Sequence, residues 1–235
     1  IAHLNDTDMV REQRSGMTNP NAPNPSVEAI LHGIIPLKFV DHSHSDAVVT
    51  LSNTPNGPEL LRTLYGESVL FIPYVMPGFK LARAVWEHTR DVDWSELDGM
   101  ILLHHGVFTF GNTAKQSYER MIQIVTQAEE LLVKMANSNP VRQGKSYSLN
   151  MVEALQLAQF RKCASERAGR PLYARFNGTV QANGFASRAD VSDLSNRGPV
   201  TPDHVIHTKR VAAFLNEDPV DCVNQFVDNY NAYFK

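Results

Sequence analysis

The spacing of apolar positions changes along the chain, and each change marks an element. Apolar-rich stretches of four residues occupy 37–40, 69–72, 100–103 and 107–110. Each is bounded by polar or glycine positions, which is the length and setting of a strand. The first runs on as a strand over 37–43. Over 78–88, Phe79, Leu81, Ala82, Val85 and Trp86 recur at helical spacing and predict an amphipathic helix. From Thr113 onward Ala114, Tyr118, Met121, Ile122, Val125, Leu132 and Met135 keep that spacing for about six turns, which predicts a long helix lying on the sheet. Shorter helices are predicted over 57–64 and over 27–32, the latter with Ser26 as N-cap and Pro36 closing the segment. The run Ala47-Val48-Val49-Thr50-Leu51 reads as strand by β-propensity.

Two stretches break the pattern. Residues 1–25 are polar and end in Asn19-Pro20-Asn21-Ala22-Pro23-Asn24-Pro25, which predicts a loop leading into the fold. Residues 137–148 are linker-like and separate an α/β part, 26–136, from a second region, 149–235. In that region a helix is predicted over 149–168, a strand over 172–176 and a terminal helix over 219–234.

Composition narrows the class. In 235 residues, 43% are hydrophobic and 20% charged, with a formal net charge of -3. Those values fit a soluble globular chain and give no electrostatic reason to expect nucleic acid or an anionic membrane surface. No apolar run approaches bilayer-spanning length, and nothing near the start resembles a signal peptide. Cys163 and Cys222 fall in predicted helices without metal-like spacing, as expected of reduced, packing cysteines in a cytosolic protein. The chain starts at Ile1, so a trimmed N-terminus is expected.

The candidate chemistry lies where predicted strands end. Val40-Asp41-His42-Ser43-His44 places two histidines two apart, on one face of an extended strand, where both reach one metal ion without a chain reversal. His105, in Leu103-His104-His105-Gly106, completes a triad. Three imidazoles with an open fourth position suit catalytic rather than structural zinc; manganese, cobalt or nickel fit the same residue types. His104 is the alternative third ligand, and the glycine after His105 favours the latter. Asp41 points to the opposite strand face, where salt-bridging is expected.

Pro25-Ser26-Val27-Glu28, His42-Ser43-His44 and His105-Gly106 together resemble the class II aldolase and adducin family. Its members carry a Ser-x-Glu helix start, a His-x-His pair about fifteen residues on and a late His-Gly, in that order. The likeness extends to Val40 through Ala47, Pro77-Gly78-Phe79, Gly106 through Lys115, and Gly198-Pro199-Val200-Thr201-Pro202-Asp203-His204. These are features of a subgroup in which the aldolase part is fused to a short-chain dehydrogenase, the bifunctional rhamnulose-1-phosphate aldolases. The family's Gly-Asn-x-Ser phosphate loop has no match before Pro25, and no Gly-x-Gly-x-x-Gly nucleotide loop occurs. The chain is therefore expected to be part of a longer polypeptide.

The resemblance implies a three-layer α/β/α domain with a mostly antiparallel central sheet and a C-terminal helical extension. It turns 46–51 into a helix, against the propensity reading. It also implies a lyase performing reversible aldol cleavage of a ketose or ketose phosphate through a metal-stabilised enediolate. His42, His44 and His105 would hold the divalent ion, zinc by preference, and Glu28 would be the acid/base. Homo-oligomers, commonly tetramers, are the family's usual state. Epimerase, dehydratase and decarboxylase activities share the triad, whereas adducin-type interaction domains lack it. Ser26 has two readings, N-cap and phosphate neighbour; His204 marks the subgroup without an assigned role; Tyr74, Tyr230 and Tyr233 are candidate proton donors by residue type, but none matches a family residue and core packing is expected of each.

Overall fold

The computed structural model describes residues 4–138, 145–215 and 218–234. They form two compact units, one running to Asn137 and including Val200–Asp203, the other comprising Ser138–Pro199 and the chain from His204. The linker expectation over 137–148 lies largely outside the described residues.

Four strands build the sheet of the first unit: β1 (Phe39–Ser43), β2 (Val69–Ile72), β3 (Gly99–Leu102) and β4 (Gly106–Gly111), in the order β1-β4-β3-β2. The β1/β4 and β3/β4 pairs are antiparallel and β2/β3 is parallel, so the sheet is mostly antiparallel, as expected. Alternation along the strands sends side chains to two separate cores. Ile101, Leu103 and Val107 pack with α3 (Asp46–Ser52), α4 (Gly57–Tyr65) and α6 (Ala114–Ser138). Met100, Leu102, Phe108 and Phe110 face the other way, onto α2 (Ala29–Ile34) and α5 (Phe79–His88). The result is a three-layer α/β/α sandwich whose central strands β3 and β4 are buried throughout.

Three local expectations need correction. Residues 1–25 are not all loop: α1 spans Asp6–Ser15, capped by Asn5, whose side chain accepts from the Asp8 N–H. Its only buried residue is Met9, so the helix leaves almost no apolar period to read. Asp6 in turn accepts from the Phe79 N–H at 3.0 Å and caps α5. The segment 46–52 is helical, as the resemblance implied. Ala47, Val48, Val49, Leu51 and Ser52 are all buried there, and packing on several sides outweighs β-propensity.

The stripe along α6 is turned from the predicted one. Ser117, Met121, Ile124 and Ala128 are buried, while Tyr118 and Ile122 are more than 45% exposed, at 62% and 47%. Ser117 lies on the buried face, where its backbone carbonyl accepts from the Thr109 hydroxyl at 2.9 Å, a polar contact that hydrophobic counting does not see. Finally, 172–176 forms no strand. Tyr173 is fully exposed, and the second unit supplies no neighbouring strand among the described residues to complete a ladder.

That second unit contains α7 (Met151–Ala168), α8 (Val180–Ala186), α9 (Val191–Ser195) and α11 (Pro219–Tyr233); α10 (Pro202–His207) runs into it from the first unit. Asn150 and Glu153 form a capping box at the start of α7, and Gly169 closes it at φ 65°, the left-handed C-cap that glycine favours. α7 packs on α11, with Cys163, Cys222 and Val223 buried and Arg167 paired to Asp228 at 2.7 Å. Both cysteines are free thiols. No helix among the described residues is long and apolar enough to cross a membrane.

Candidate active site

The edge strand β1 runs antiparallel to β4 with His42 opposite Phe108 and Ser43 opposite Val107. This register sets the histidine pair at the mouth of the β3–β4 hairpin. His42 lies flat on the Phe108 ring, with centroids 4.0 Å apart and planes at 17°. Next to Phe108, Gly106 leaves room for both rings. A Cβ there would sit 2.5 Å from the Ser43 carbonyl oxygen and 3.0 Å from His42 Cε1 and His44 Cδ2. Glycine is thus required here for close approach rather than for its backbone freedom.

The hairpin turn delivers the third ring. His104 takes φ 60°, a left-handed conformation uncommon for a side-chain-bearing residue, so that the chain reverses between Leu102 and Gly106. The turn is tied to α3: the His104 N–H donates to Ser52 Oγ at 2.6 Å, and His104 Nδ1 lies 2.5 Å from Asn53 Oδ1. His104 is thereby exposed and turned to α3, while His105 is buried at 3% exposure. Of the neighbouring histidines, His105 is the one that joins His42 and His44 in the cluster.

Glu28 comes from the start of α2, where Ser26 Oγ accepts from its N–H at 3.1 Å. Ser26 therefore heads the turn before the helix, and α2 proper begins at Ala29 rather than at residue 27. Glu28 Oε1 stands 2.7 Å from His105 Nε2, 3.4 Å from His42 Nε2 and 3.9 Å from His44 Nε2. The candidate ligand atoms of Glu28, His42, His44 and His105 all lie within 4.8 Å of one another. The hydrogen bond from His105 first, and then the neighbouring His42 ring, hold the Glu28 carboxyl far below the ordinary carboxylate range, against the opposing effect of burial. Glu28 is an anion at any physiological pH.

The ring nitrogens facing away from the cluster decide what it can hold. His42 Nδ1 is 3.0 Å from the Val107 carbonyl and His44 Nδ1 is 2.7 Å from Asp203 Oδ2. A carbonyl and a carboxylate only accept, so both Nδ1 atoms carry hydrogen and a neutral ring leaves its lone pair on Nε2. Those two Nε2 atoms are 3.1 Å apart, beside an anionic carboxylate. Lone pairs at that separation repel unless a cation lies among them. The donor set therefore fits a divalent metal ion, with outward N–H groups held by acceptors as is usual for metal-bound imidazoles. His105 differs: its Nδ1 is buried without a hydrogen-bond partner, and the packing around the ring holds it.

Asp203 was not among the residues singled out for chemistry in the sequence, although its Thr-Pro-Asp-His setting was visible as a subgroup marker. His204, the member of that motif noted above, is exposed and lies outside the cluster. Asp41 is exposed on the other face of β1 and makes no ion pair among the described residues. Tyr74 is not a core residue: it is 51% exposed and meets His104 edge-on at 6.1 Å. Tyr230 and Tyr233 lie on α11 in the second unit, Tyr230 stacked on Phe226 and Tyr233 under Arg210; Tyr233 is 60% exposed rather than packed in a core.

Residues 2–132 match the family model of the Class II Aldolase and Adducin N-terminal domain, and residues 151–235 match that of Aldolase class II, second domain. The chain belongs to the class II aldolase and adducin family. A solved relative, the N-terminal Class II Aldolase domain of a conserved protein from Thermoplasma acidophilum, is 39% identical with a TM-score of 0.51. The match covers 56% of this chain and 60% of that one. A Bacillus subtilis (strain 168) protein named Uncharacterized oxidoreductase YuxG is 28% identical over 247 residues, 97% of this chain and 35% of the relative. This class II aldolase family member thus spans about a third of that relative's length.

Proposed function

We propose that this class II aldolase family member is a metal-dependent carbon–carbon lyase that reversibly cleaves a ketose or ketose phosphate, such as a rhamnulose-1-phosphate-like sugar. The observation supporting it is the convergence of three imidazole Nε2 atoms and one carboxylate, with two of the rings fixed in the metal-binding tautomer. His42, His44 and His105 would hold the ion, with zinc the best match to three nitrogen donors. A divalent cation in that place supplies Lewis-acid polarisation of the sugar's carbonyl and adjacent hydroxyl.

The chain's own residues supply the rest. Glu28, 18% exposed at its side chain, opens to the space beside the rings and is kept ionised. It is placed to take a proton from the carbon next to the carbonyl in the synthetic direction and to return one in cleavage. In this reading the unit containing 26–136 carries the chemistry, and 149–235 contributes through the returning segment 200–203. Apolar residues left open on α5 and α6, among them Trp86, Tyr118 and Ile122, support assembly as a homo-oligomer, and two free buried thiols support a reducing, cytosolic setting.

The test is elemental analysis of the purified protein, together with release of dihydroxyacetone or its phosphate from a panel of five- and six-carbon ketoses and their 1-phosphates. One divalent ion per chain and cleavage of a panel member are expected. A metal-loaded protein that cleaves none of them would overturn the lyase reading.

A further inference from the structure

The structure assigns to Asp203 the task of fixing the tautomer and orientation of His44, so that metal affinity depends on a carboxylate 159 residues further along the chain than the ligand it serves. The assignment rests on the metal reading above and adds a positioning residue to it.

The segment that presents Asp203 is itself anchored to the first unit. Thr201 is 3% exposed, and Asn53 Nδ2 donates to the Val200 carbonyl at 3.5 Å. The same Asn53 side chain meets His104 through its Oδ1, so one residue of the α3 C-cap touches both the hairpin turn and the returning segment. Asp203 is then placed 2.7 Å from His44 Nδ1.

His44 needs this contact more than its neighbours need theirs. His42 is stacked on Phe108 and donates to a strand carbonyl that cannot move independently of the sheet. His105 is enclosed. His44 lies one residue beyond the end of β1, where no ladder hydrogen bond fixes it. A free neutral imidazole favours hydrogen on Nε2, which would aim an N–H at the cluster and block it as a ligand. A carboxylate at Nδ1 reverses that preference and raises the basicity of Nε2.

Two readouts on the full chain test the assignment. In metal-free protein at pH 8, nitrogen-15 spectra of the histidine rings should show His44 with hydrogen on Nδ1 in the wild type and in Asp203→Asn, whose side-chain oxygen still accepts. Asp203→Ala should move it to Nε2, while His42, held by the Val107 carbonyl, serves as an internal control and does not change. Cobalt(II) affinity, measured by chelator competition, should fall roughly 10- to 100-fold in Asp203→Ala, the usual size of such a loss, and less in Asp203→Asn. Retention of hydrogen on His44 Nδ1 in Asp203→Ala, or cobalt affinity within twofold of wild type in that variant, would overturn the role of Asp203. Should the wild type bind no cobalt, the metal reading fails by itself, and the tautomer comparison still decides whether Asp203 sets the state of His44.

Discussion

Replacing Gly106 by alanine should damage the metal site without touching a ligand. The backbone at this position does not need glycine, since Gly106 is absent from the positive-φ residues, and an alanine with no steric conflict would stabilise by about 0.4 to 1 kcal/mol through the unfolded chain. The conflict is steric. The new methyl would stand 2.5 Å from the Ser43 carbonyl oxygen and 3.0 Å from one carbon of each of His42 and His44. Against an ordinary contact of about 3.4 Å, the carbonyl must retreat by about 0.9 Å and the rings by about 0.4 Å. Ser43 lies between the two histidines, so its retreat carries both. Overpacking of this kind costs about 1 to 3 kcal/mol. Metal sites tolerate only about 0.2 Å of error in ligand distance, so affinity should fall by far more than stability. Urea denaturation and chelator competition on the same preparation measure the two effects. A Gly106→Ala protein with wild-type affinity for zinc or cobalt would show that β1 gives way without moving its rings, and would refute the account of Gly106 as the floor of the site.

Other expectations follow from the same geometry. His42→Ala, His44→Ala and His105→Ala should each abolish stoichiometric metal on elemental analysis. His104→Ala should keep the metal and lose about 1 kcal/mol with its contact to Asn53; normal metal content in His105→Ala would sink the ligand assignment. Glu28→Gln should keep fold and metal while turnover falls roughly 100-fold or more, and wild-type turnover would reduce Glu28 to a helix-terminal charge. In metal-free protein the Glu28 carboxyl is held below its ordinary value by His105 and His42. Its contribution to stability is therefore complete above the unfolded value of 4.5 and is lost as pH falls toward the depressed folded value. The stability gap between wild type and Glu28→Gln should be largest above pH 5 and shrink steadily as urea melts are repeated toward pH 3; a gap that widens on acidification would contradict the depressed value.

The apolar-rich runs 100–103 and 107–110 were legible because β3 and β4 are buried on both faces and polar or glycine positions bound them. The triad was legible for the same reason: a His-x-His pair at a strand end carries its geometry in its spacing. Three things resisted reading. Helix α1 buries one residue, so periodicity had nothing to count. Residues 46–52 are helical because neighbours on both sides bury β-branched side chains, which local propensity does not report. The pairing of Asp203 with His44 depends on where the chain returns after the helices α6 to α9, and no local pattern encodes that return. What the sequence did offer was the Thr-Pro-Asp-His motif, whose aspartate rather than its histidine proves to face the cluster.

The distance in sequence between His44 and Asp203 also orders events during synthesis. All four inner residues, Glu28 through His105, have been made when less than half of the chain exists, whereas Asp203 follows His105 by nearly a hundred residues. At common elongation rates that interval lasts roughly 5 to 20 s. For that time a nascent chain has three imidazoles, one of them with an unguided ring, and on the proposed role of Asp203 an ion captured then would exchange more readily than one held after the aspartate arrives. If the histidines hold an ion and Asp203 guides His44 as proposed, metal selection would have an early, permissive stage and a later, retentive one, separated by translation itself.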